Sequence, residues 1–459
     1  MDDLQRFLDD NGVTRVRVQG VQPDALLVGK ILRPAAFVSA IESGVSLADF
    51  AFGTDRAGDP GLGYSSEWRS TVVGDIHLVP DVATLRLAPG VEGMATCFAD
   101  AVDVEYRPIP LCGRGLVRRL SDRLEGEGFQ ARFAFEIEGQ FFTKSFQDNR
   151  TNRWRNLEPF GVGGHLPYLA QDLHRLDGVM TEICGRLEAL GVPWEAWNAE
   201  GAAGQFELNL SPADPVTAAD HVLLVRQVCK EVAYERDMSV TFMAKVTEDY
   251  GNGLHVHHSL VGDDGPVFFD DTDPANLAQI ARWWLGGLMA TLPGCVSLMA
   301  PNPNSFRRMA PFLAVPTHVT WDFDNKSTAL RVLTRSASSA RIEHRVGAGD
   351  LHPHFAVAVT LAGGLAGLEG RLEPPPPFAK MAWGLPTGEG RPDPLPASMP
   401  AAWEALDADA NLRRHLGDDL VDYWIGMRRF EWLSFHTSGG DPDAEGPTPW
   451  ELDRYFETL

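Results

Sequence analysis

The stretch FAFEIEGQFF, residues 133–142, decides how the rest of the sequence is interpreted. Apolar residues surround Glu136 and Glu138, which lie two positions apart and therefore share one face of a β-strand. Because their neighbours are apolar, that face is predicted to be covered by other parts of the chain. Two covered carboxylates repel each other and lose hydration unless cations neutralise them. The stretch therefore indicates a strand that carries a cation site, with a solvated edge strand as the alternative.

Two further segments place candidate ligands of the same kind on strand-like runs. In NAEGAAGQFELNL, Glu200 and Glu207 flank a loop of small residues, where glycine lets the backbone pass close to a ligand. In DYGNGLHVHHSL, His255 and His257 lie two positions apart after a glycine turn. Such a pair is typical of metal or phosphate sites, whereas a single histidine is more often structural.

Basic side chains cluster near the end of this series. In SARIEHRV, Arg341, Glu343 and Arg345 alternate along one face, either as a ladder of ion pairs or as a metal ligand between two anion clamps. The segment before it adds further cations, Arg307, Arg308, Lys326 and Arg331. Cations gathered in a protein of net charge −23 indicate an anionic substrate or phosphate. The alternative is a set of solvated surface charges.

Together these residue types favour Mg²⁺ or Mn²⁺ over zinc or iron, because hard oxygen ligands outnumber the imidazoles. Such ions bridge and neutralise the phosphates during phosphoryl transfer, while arginines stabilise the group in transfer. The sequence contains no GxxxxGK[ST] motif. The prediction is therefore phosphoryl transfer without a Walker loop.

Composition limits the domain count and the class of partner. A chain of 459 residues exceeds one ordinary core, so two domains are predicted. The excess of 63 acidic over 40 basic side chains repels phosphate backbones and anionic lipid, which argues against nucleic acid and membranes as partners. No apolar run approaches the roughly 20 residues of a membrane span, and the acidic N-terminus predicts no secretory signal. Five scattered cysteines without CxxC spacing indicate reduced thiols in the cytoplasm.

A short helix and then strands are predicted up to about residue 105, followed by alternating helices and strands. The first strand is predicted at VTRVRVQG, and IHLVPDVATLRL is predicted to be a strand pair. Helices are predicted over 112–128, 166–191, 219–236 and 275–292, the last weakened by Gly286 and Gly287. Proline-rich stretches at 372–380 and 392–400 are predicted to be surface connections.

The order of the chemical segments resembles the signature series of the glutamine synthetase family. E-x-E is followed by the glutamates around GQFE, then by GNGLHVHHS, NSFRR, NKS and RIEHR, and the likeness covers the whole chain. LVPDVATL and its surroundings resemble the small N-terminal domain of the family. The resemblance implies an α+β fold, with a β-grasp domain over residues 1–105 and a glutamine synthetase-type catalytic domain, an antiparallel sheet with helices, over 106–459.

The resemblance also implies a role for each matched residue. One divalent metal would be held by Glu138, Glu200 and Glu207, and another by Glu136, His255 and Glu343. The residues that would contact ATP are His257, Ser259, Arg331 and Arg341. Those for glutamate and its phosphorylated form are Gly251, Arg308 and Arg345. Lys326 would act with the two arginines in catalysis, although it replaces a usual arginine and loses the forked guanidinium. The implied cofactors are ATP and two or three Mg²⁺ or Mn²⁺ ions.

Three departures from the family concern the amine. Ala314 in PFLAVP replaces a glutamate that binds and deprotonates ammonium, Phe52 in FGTD replaces an aspartate, and His165 in GGHLP replaces a tyrosine. An ammonium ion loses polar partners, while a larger amine gains room. The pattern resembles the γ-glutamylamide branch, ATP-dependent ligases that join glutamate to a polyamine, alkylamine or aromatic amine through γ-glutamyl phosphate. Asp55, in the same loop as Phe52, either contacts a cationic amine or only forms a turn.

Other functions stay open from the sequence. They are a glutamine synthetase that uses ammonium, a non-catalytic relative, and a phosphotransferase that acts on another acid or on a guanidino group. The resemblance further implies a homo-oligomer, a dodecamer of two stacked rings. Each active site would then lie between the N-terminal domain of one subunit and the catalytic domain of its neighbour.

Overall fold

The structure, a computed structural model, describes residues 2–59, 74–161, 166–310, 313–385, 388 and 391–459. The described residues of the N-terminal part form a six-stranded sheet in the order β2-β1-β6-β4-β3, with β5 beside β6. Strand β1 pairs in parallel with β6, and the other neighbours are antiparallel. The elements are α1 (Asp2–Asp10), β1 (Arg15–Val21), β2 (Leu27–Leu32), α2 (Pro34–Ser43), β3 (Val45–Ala48), β4 (Asp75–Pro80), β5 (Arg86–Leu87) and β6 (Met94–Val102).

The strands of this sheet follow from alternation in the sequence. Val16 and Val18 are fully buried, while Arg15 and Arg17 between and before them are not, so β1 presents one apolar face to the core. The strand predicted there is confirmed. The stretch predicted to be a strand pair gives β4 and β5, but both pair with β6 and not with each other. A short 3₁₀ turn at Val82–Thr84 separates them and redirects the chain.

The second sheet is larger and largely antiparallel. Among the described residues its order is β13-β14-β15-β11-β7-β9-β8, with β10 beside β7, β12 beside β11, and one parallel pair, β13 with β14. The elements are α3 (Gly113–Gly126), β7 (Gln130–Phe142), α4 (Phe146–Thr151), α5 (Ala170–Ala189), β8 (Trp194–Ala199), β9 (Gln205–Leu210), α6 (Pro215–Glu235), β10 (Ser239–Thr241), β11 (Leu254–Gly262), β12 (Gly265–Pro266), α7 (Gln279–Met299), α8 (Pro303–Arg308), β13 (Trp321–Phe323), β14 (Leu330–Leu333), β15 (Arg341–His344), α9 (Pro353–Gly370), α10 (Met399–Ala408), α11 (Ala410–Leu416), α12 (Asp418–Thr437) and α13 (Pro449–Tyr455).

This sheet has two chemically different faces. Along β7, Phe133, Phe135 and Ile137 are buried on the apolar face, and the ring of His258 on β11 lies 6.0 Å from the ring of Trp284 on α7. Helix α7 therefore covers the apolar face behind β11. The alternate residues of the same strands point the other way, and they carry the acidic and imidazole side chains. Because successive residues of a strand point to opposite faces, the core residues lie on one face of the sheet and the acidic and imidazole side chains on the other.

Helices predicted from the sequence are confirmed as α3, α5, α6 and α7, with ends that differ by several residues. No helix within the described ranges is long and apolar enough to cross a membrane. Helix α7 is not interrupted by its glycines and continues through Pro293 to Met299. The glycines instead allow close packing: a Cβ on Gly287 would overlap backbone atoms of Gly363 and Gly367 on α9.

A buried guanidinium links the first sheet to helix α6. Arg114, near the start of α3, is 1% exposed and forms ion pairs at 2.8 Å with Asp81 and at 2.6 Å with Asp100 from the first sheet region. It also pairs at 3.0 Å with Asp220 on α6. A buried charge without partners is costly, so these contacts must form together. The predicted domain boundary near residue 105 therefore lies in a region crossed by ion pairs, and it stays a prediction.

The two proline-rich stretches, 372–380 and 392–400, lie largely at the surface as predicted, but each is also anchored by hydrogen bonds. The indole N–H of Trp321 donates to the carbonyl of Pro375 at 2.7 Å, and the backbone N–H of Leu395 donates to that of Thr317 at 2.9 Å. These stretches are therefore attached to the part of the molecule that contains the second sheet.

We expect Gly287→Ala to lower the free energy of unfolding by about 1–3 kcal/mol, because the added methyl group has to push α7 away from α9. Gly178→Ala, on α5, is the matched control, since a Cβ there meets no atom within 4 Å. Alanine at that position should stabilise the protein by about 0.5–1 kcal/mol. Chemical denaturation of both variants measures the difference, and equal stabilities would contradict this account of the contact.

Candidate active site

Strand pairing brings the predicted ligands together on the polar face of the second sheet. His255 on β11 lies opposite Glu136 on β7, and His257 lies opposite Glu343 on β15. On the other side of β7, Glu138 lies opposite Glu207 on β9. Side chains directly opposite each other on one face are close neighbours. The sheet therefore assembles in space what the sequence separates by about 200 residues.

Glu136, His255 and Glu343 form the tightest group of potential metal ligands among the described residues. One donor atom from each lies within 4.8 Å of the others. Nδ1 of His255 is 3.0 Å from a Glu136 oxygen and 3.8 Å from a Glu343 oxygen. Two carboxylates and an imidazole at this separation suit a divalent cation with hard ligands.

Positive groups surround this cluster even without a cation. Burial alone would raise the pKa of Glu136, but hydrogen bonds with His255 and His257 outweigh it and hold the pKa well below its ordinary value. Nε2 of His257 lies 2.8 Å from the second Glu136 oxygen. Glu343 is fully buried and accepts hydrogen bonds from Arg331, at 3.0 Å, and from Arg345. Its pKa is lowered because the Arg345 charge and the nearby imidazoles outweigh burial.

The second carboxylate group, formed by Glu138, Glu200 and Glu207, is less fully compensated. Burial and the neighbouring glutamates Glu136, Glu138 and Glu200 raise the pKa of Glu207 to about 9. Burial and the nearby Glu138 raise that of Glu200 to about 7. The Asn209 amide donates to Glu207 at 3.0 Å, and Glu200 accepts from the Asn198 amide at 2.9 Å and from the backbone of Gly201. Carboxylates gathered in this way fit a bound cation, which would replace the missing positive charge.

Two cavities meet at Glu136. The larger has a volume of about 500 Å³ and contains most of the predicted site residues, Glu136, Glu138, Glu200, Glu207, Gly251, His255, Arg308, Ala314, Lys326, Arg331 and Arg345. The smaller has a volume of about 280 Å³ and is lined by Glu136, His257, Ser259 and Arg341 together with serines of the 338–339 turn. The Arg341 guanidinium donates to Nδ1 of His257 at 3.2 Å. A ligand in either cavity would reach the cluster around Glu136.

Some predicted residues lie elsewhere. Arg307 was predicted to join the cationic cluster, but it forms a buried ion pair at 2.7 Å with Glu451, so it belongs to the scaffold. Phe52 is fully buried. Asp55 accepts hydrogen bonds at 2.9 Å from two backbone N–H groups of its own turn and pairs with Arg454. Neither residue lines the cavity of its own chain, and their role in substrate binding stays a prediction. His165 lies outside the described residues.

The structure adds residues that the sequence interpretation missed. Gln205 and Asn209 alternate with Glu207 on β9, and Gln205 donates to Glu138 at 3.1 Å. Their period of two was a signal that the sequence contained. Tyr168 and Trp383 also line the larger cavity, but both come from irregular segments without periodicity. Only the fold reveals their position.

A fold of this kind with such a site defines the class of protein. The family model described as the catalytic domain of glutamine synthetase matches residues 110–455, and the chain belongs to this family. A glutamate–isopropylamine ligase of Pseudomonas sp. is 28% identical over 461 residues, covering 99% of this chain and 98% of that protein. The γ-glutamylethanolamide synthetase GlnA4 of Streptomyces coelicolor is 29% identical over 434 residues, covering 94% and 90%. A solved GmaS/ADP complex shares the fold, with a TM-score of 0.84, 24% identity and coverage of 98% and 99%. The predicted family and fold are thereby confirmed.

We expect the affinity of the protein for Mg²⁺ to rise with pH between about 7 and 9, by up to about tenfold per pH unit, because Glu207 must lose a proton before it binds a cation. For the same reason the metal-free protein should become less stable as pH rises from 4.5 towards 9, since the folded state keeps a proton that the unfolded chain has released. Calorimetric titration and thermal unfolding measure the two effects.

Glu207→Gln has no proton to release, so its Mg²⁺ affinity should be lower and should depend less on pH. Glu182→Gln on α5, whose carboxylate pairs with surface arginines, is the control and should behave like the wild type. An affinity for Mg²⁺ that does not change with pH in the wild type would contradict the assignment of Glu207 to a cation site.

Proposed function

We propose that this chain is an ATP-dependent ligase that joins the γ-carboxyl group of glutamate to an organic amine through γ-glutamyl phosphate. The observation that carries the proposal is the meeting of two cavities at Glu136, one rich in carboxylates and guanidinium groups and the other lined by His257, Ser259 and Arg341. Two substrates that enter separate cavities can react only where the cavities meet. The names of the relatives, ligases of glutamate with isopropylamine and with ethanolamine, agree with this reaction.

We assign one substrate, ATP or glutamate, to each cavity. ATP takes the smaller cavity, with its phosphates directed towards Glu136 and the charges of Arg341 and Arg331. Glutamate takes the larger cavity, between Gly251, Arg308 and Arg345. Arg308 is 3% exposed, and burial lowers its pKa to about 10, which still leaves it charged at neutral pH. A buried guanidinium of this kind is a strong partner for a substrate carboxylate.

The divalent cations fit two groups of ligands. Glu136, His255 and Glu343 would hold a cation on the side of ATP, and Glu138, Glu200 and Glu207 would hold another on the side of glutamate. When bound, such ions neutralise the phosphate oxygens and the substrate carboxylate. We propose Mg²⁺ or Mn²⁺, two or three ions per site, because most ligands are carboxylate oxygens.

The reaction proceeds in two balanced steps. A γ-carboxylate oxygen of glutamate attacks the γ-phosphorus of ATP, which forms the acyl phosphate and releases ADP. A neutral amine then attacks the acyl carbon, and the tetrahedral intermediate expels inorganic phosphate and loses a proton to give the amide. Arg308, Arg345 and Lys326 line the cavity in which negative charge develops on oxygen. Fixed cations in such a place lower the barrier more than water can.

The apolar part of the larger cavity, which we assign to the amine, favours an organic amine over ammonium as the substrate. Leu313, Ala314 and Val315 line it in place of the carboxylate that ammonium requires, and Tyr168 adds an aromatic ring. An alkyl or aromatic group gains apolar contact there. Polyamines, alkylamines and aromatic amines all remain within this proposal, and ammonium is the alternative that the experiment has to exclude.

The test is an amine panel with glutamate, ATP and Mg²⁺, scored by phosphate release and by the mass of the product. We expect γ-glutamyl amides from organic amines and little glutamine from ammonium. Turnover of ammonium equal to that of every organic amine would reassign the chain to glutamine synthetase activity. Phosphate release without any amide would instead support a phosphotransferase.

Ala314→Glu should shift the selectivity from organic amines towards ammonium, because it places a carboxylate in the amine part of the cavity. Ala314→Gln, of the same size but without charge, is the matched control and should lose organic amines without gaining ammonium. The ratio of kcat/KM for ammonium to that for an alkylamine should rise about tenfold in the glutamate variant relative to the glutamine variant. Equal ratios in the two variants would show that Ala314 does not face the amine.

We also propose a cytoplasmic homo-oligomer, a dodecamer of two stacked rings, in which a neighbouring subunit completes each site. The family resemblance supports this assembly, whereas Phe52 and Asp55 are buried within their own chain and add no support to it. The five cysteines are free and buried, which suits a reducing compartment. Mass measurement in solution tests the assembly.

A further inference from the structure

A separate cavity, of about 300 Å³, lies between helix α6 and the turn that joins β1 to β2. None of its lining residues lines either of the two cavities that meet at Glu136. Its lining combines apolar side chains with charged ones. The apolar residues are Ala25, Leu26, Leu27, Leu223 and Leu459, and the charged residues are Arg226, Lys230, Glu231 and Glu457. Concave apolar sites with a few charged groups are typical of small-molecule binding.

The two glutamates of this cavity are already paired with arginines that do not line it. Glu231 forms an ion pair at 2.8 Å with Arg17 on β1 and also accepts from the Gln227 amide at 2.9 Å. Glu457 forms an ion pair with Arg150 on α4. These carboxylates therefore leave little negative charge for the two cations in the same lining.

Both cations offer donors that the protein does not use. Arg226 and Lys230 are four residues apart on α6 and thus lie on the same side of the helix. The Lys230 ammonium forms no hydrogen bond or ion pair with any described residue, the terminal carboxylate of Leu459 included. Nη2 of Arg226 donates to the carbonyls of Gly349 and Leu351 at 2.7 and 3.0 Å, which fixes the guanidinium.

The unused donors are accessible. Nη1 of Arg226 forms no hydrogen bond with the described residues, yet neither this atom nor Nζ of Lys230 is among the enclosed polar atoms that lack a partner. Both nitrogens therefore retain accessible surface beside a cavity that their side chains line. Lys230 is partly exposed, whereas Arg226 is 6% exposed, so most of the guanidinium is already desolvated.

The charge on Lys230 is sensitive to what lies next to it. Burial, together with the charges of Arg56 and Arg226, lowers the pKa of Lys230 to about 7, and the nearby Glu457 offsets only part of this effect. Burial also lowers the pKa of Arg226, to about 10, so this residue stays charged at neutral pH. An anion between the two side chains would relieve their repulsion and favour the protonated form of Lys230.

We infer that this cavity binds a small organic monocarboxylate, with its carboxylate between Lys230 and Arg226 and its carbon chain against the leucines. The two cations account for the charge of the ligand. The apolar part of the lining accounts for the preference for an organic acid over an inorganic anion such as sulfate. The site is separate from the one proposed for glutamate, and it does not depend on the proposed ligase function.

The test is calorimetric titration of the full chain with acetate, butyrate, hexanoate and sulfate, in the presence of saturating glutamate. We expect butyrate to bind about tenfold more tightly than acetate, because two further methylene groups are buried against the leucines, and sulfate to bind more weakly than butyrate. Displacement of butyrate by glutamate would assign the binding to the larger cavity and overturn the inference. Tighter binding of sulfate than of butyrate would overturn the organic class of the ligand.

Lys230→Met keeps the length of the side chain without its charge, and it should weaken butyrate binding about tenfold, whereas Lys230→Arg should retain it. Lys144→Met is the matched control, because this ammonium pairs at 2.6 Å with Glu158 outside the cavity. It should bind butyrate like the wild type. Unchanged affinity in Lys230→Met would overturn the inference, as would the absence of butyrate binding in the wild type.

The pH dependence of the wild type tests the same site without a variant. Affinity for butyrate should fall by about tenfold between pH 6.5 and 8.5, because Lys230 loses its charge while Arg226 keeps its own. Lys230→Arg, which stays charged, should show little change over this range. If Lys230→Met does not fold, an affinity of the wild type that is independent of pH overturns the inference.

Discussion

Carboxylates cannot gather on the covered face of a sheet unless positive charge is brought to them, and this constraint organises the molecule. The polar face of the second sheet carries glutamates from β7, β9 and β15 at neighbouring positions. On one side, His255, His257, Arg331 and Arg345 compensate them, and Glu136 and Glu343 stay ionised. On the other side, Arg308 and Lys326 line the same cavity as Glu207, but burial and the neighbouring glutamates still raise the pKa of Glu207 to about 9. The proposed cations would supply the balancing positive charge on this side.

The opposite, apolar face of the same sheet stabilises this arrangement. Apolar side chains of β7 and the tightly packed pair of α7 and α9 provide a dense core behind the site. Such a core fixes the strand register, and a shift by one residue would move every ligand to the wrong face. The positions of the candidate ligands therefore depend on α7 and α9, although these helices line neither cavity.

Strand alternation allowed much of the site to be predicted. Spacing alone made candidates of Glu136 and Glu138, of His255 and His257 and of Glu343, because a period of two places such residues on one face whatever the rest of the fold does. The family resemblance then supplied roles that spacing does not contain. The adjacent arginines Arg307 and Arg308 show the limit of prediction from sequence. Arg308 lines the larger cavity, whereas Arg307 pairs with Glu451, more than 140 positions away. Local sequence does not encode such a distant partner. For the same reason Tyr168 and Trp383, which arrive on irregular segments, could not be predicted.

The ion pairs of Arg114 with Asp81, Asp100 and Asp220 have a consequence for how such a chain can evolve. Severing the chain near residue 105 would leave Arg114 paired with Asp220 but would separate it from Asp81 and Asp100, so the N-terminal piece would lose the cation that these two carboxylates share. Neither piece is then a self-sufficient module that can be exchanged or recombined alone. Substitution within the loops and segments around an undivided scaffold leaves these ion pairs in place, whereas exchange of one half breaks two of them.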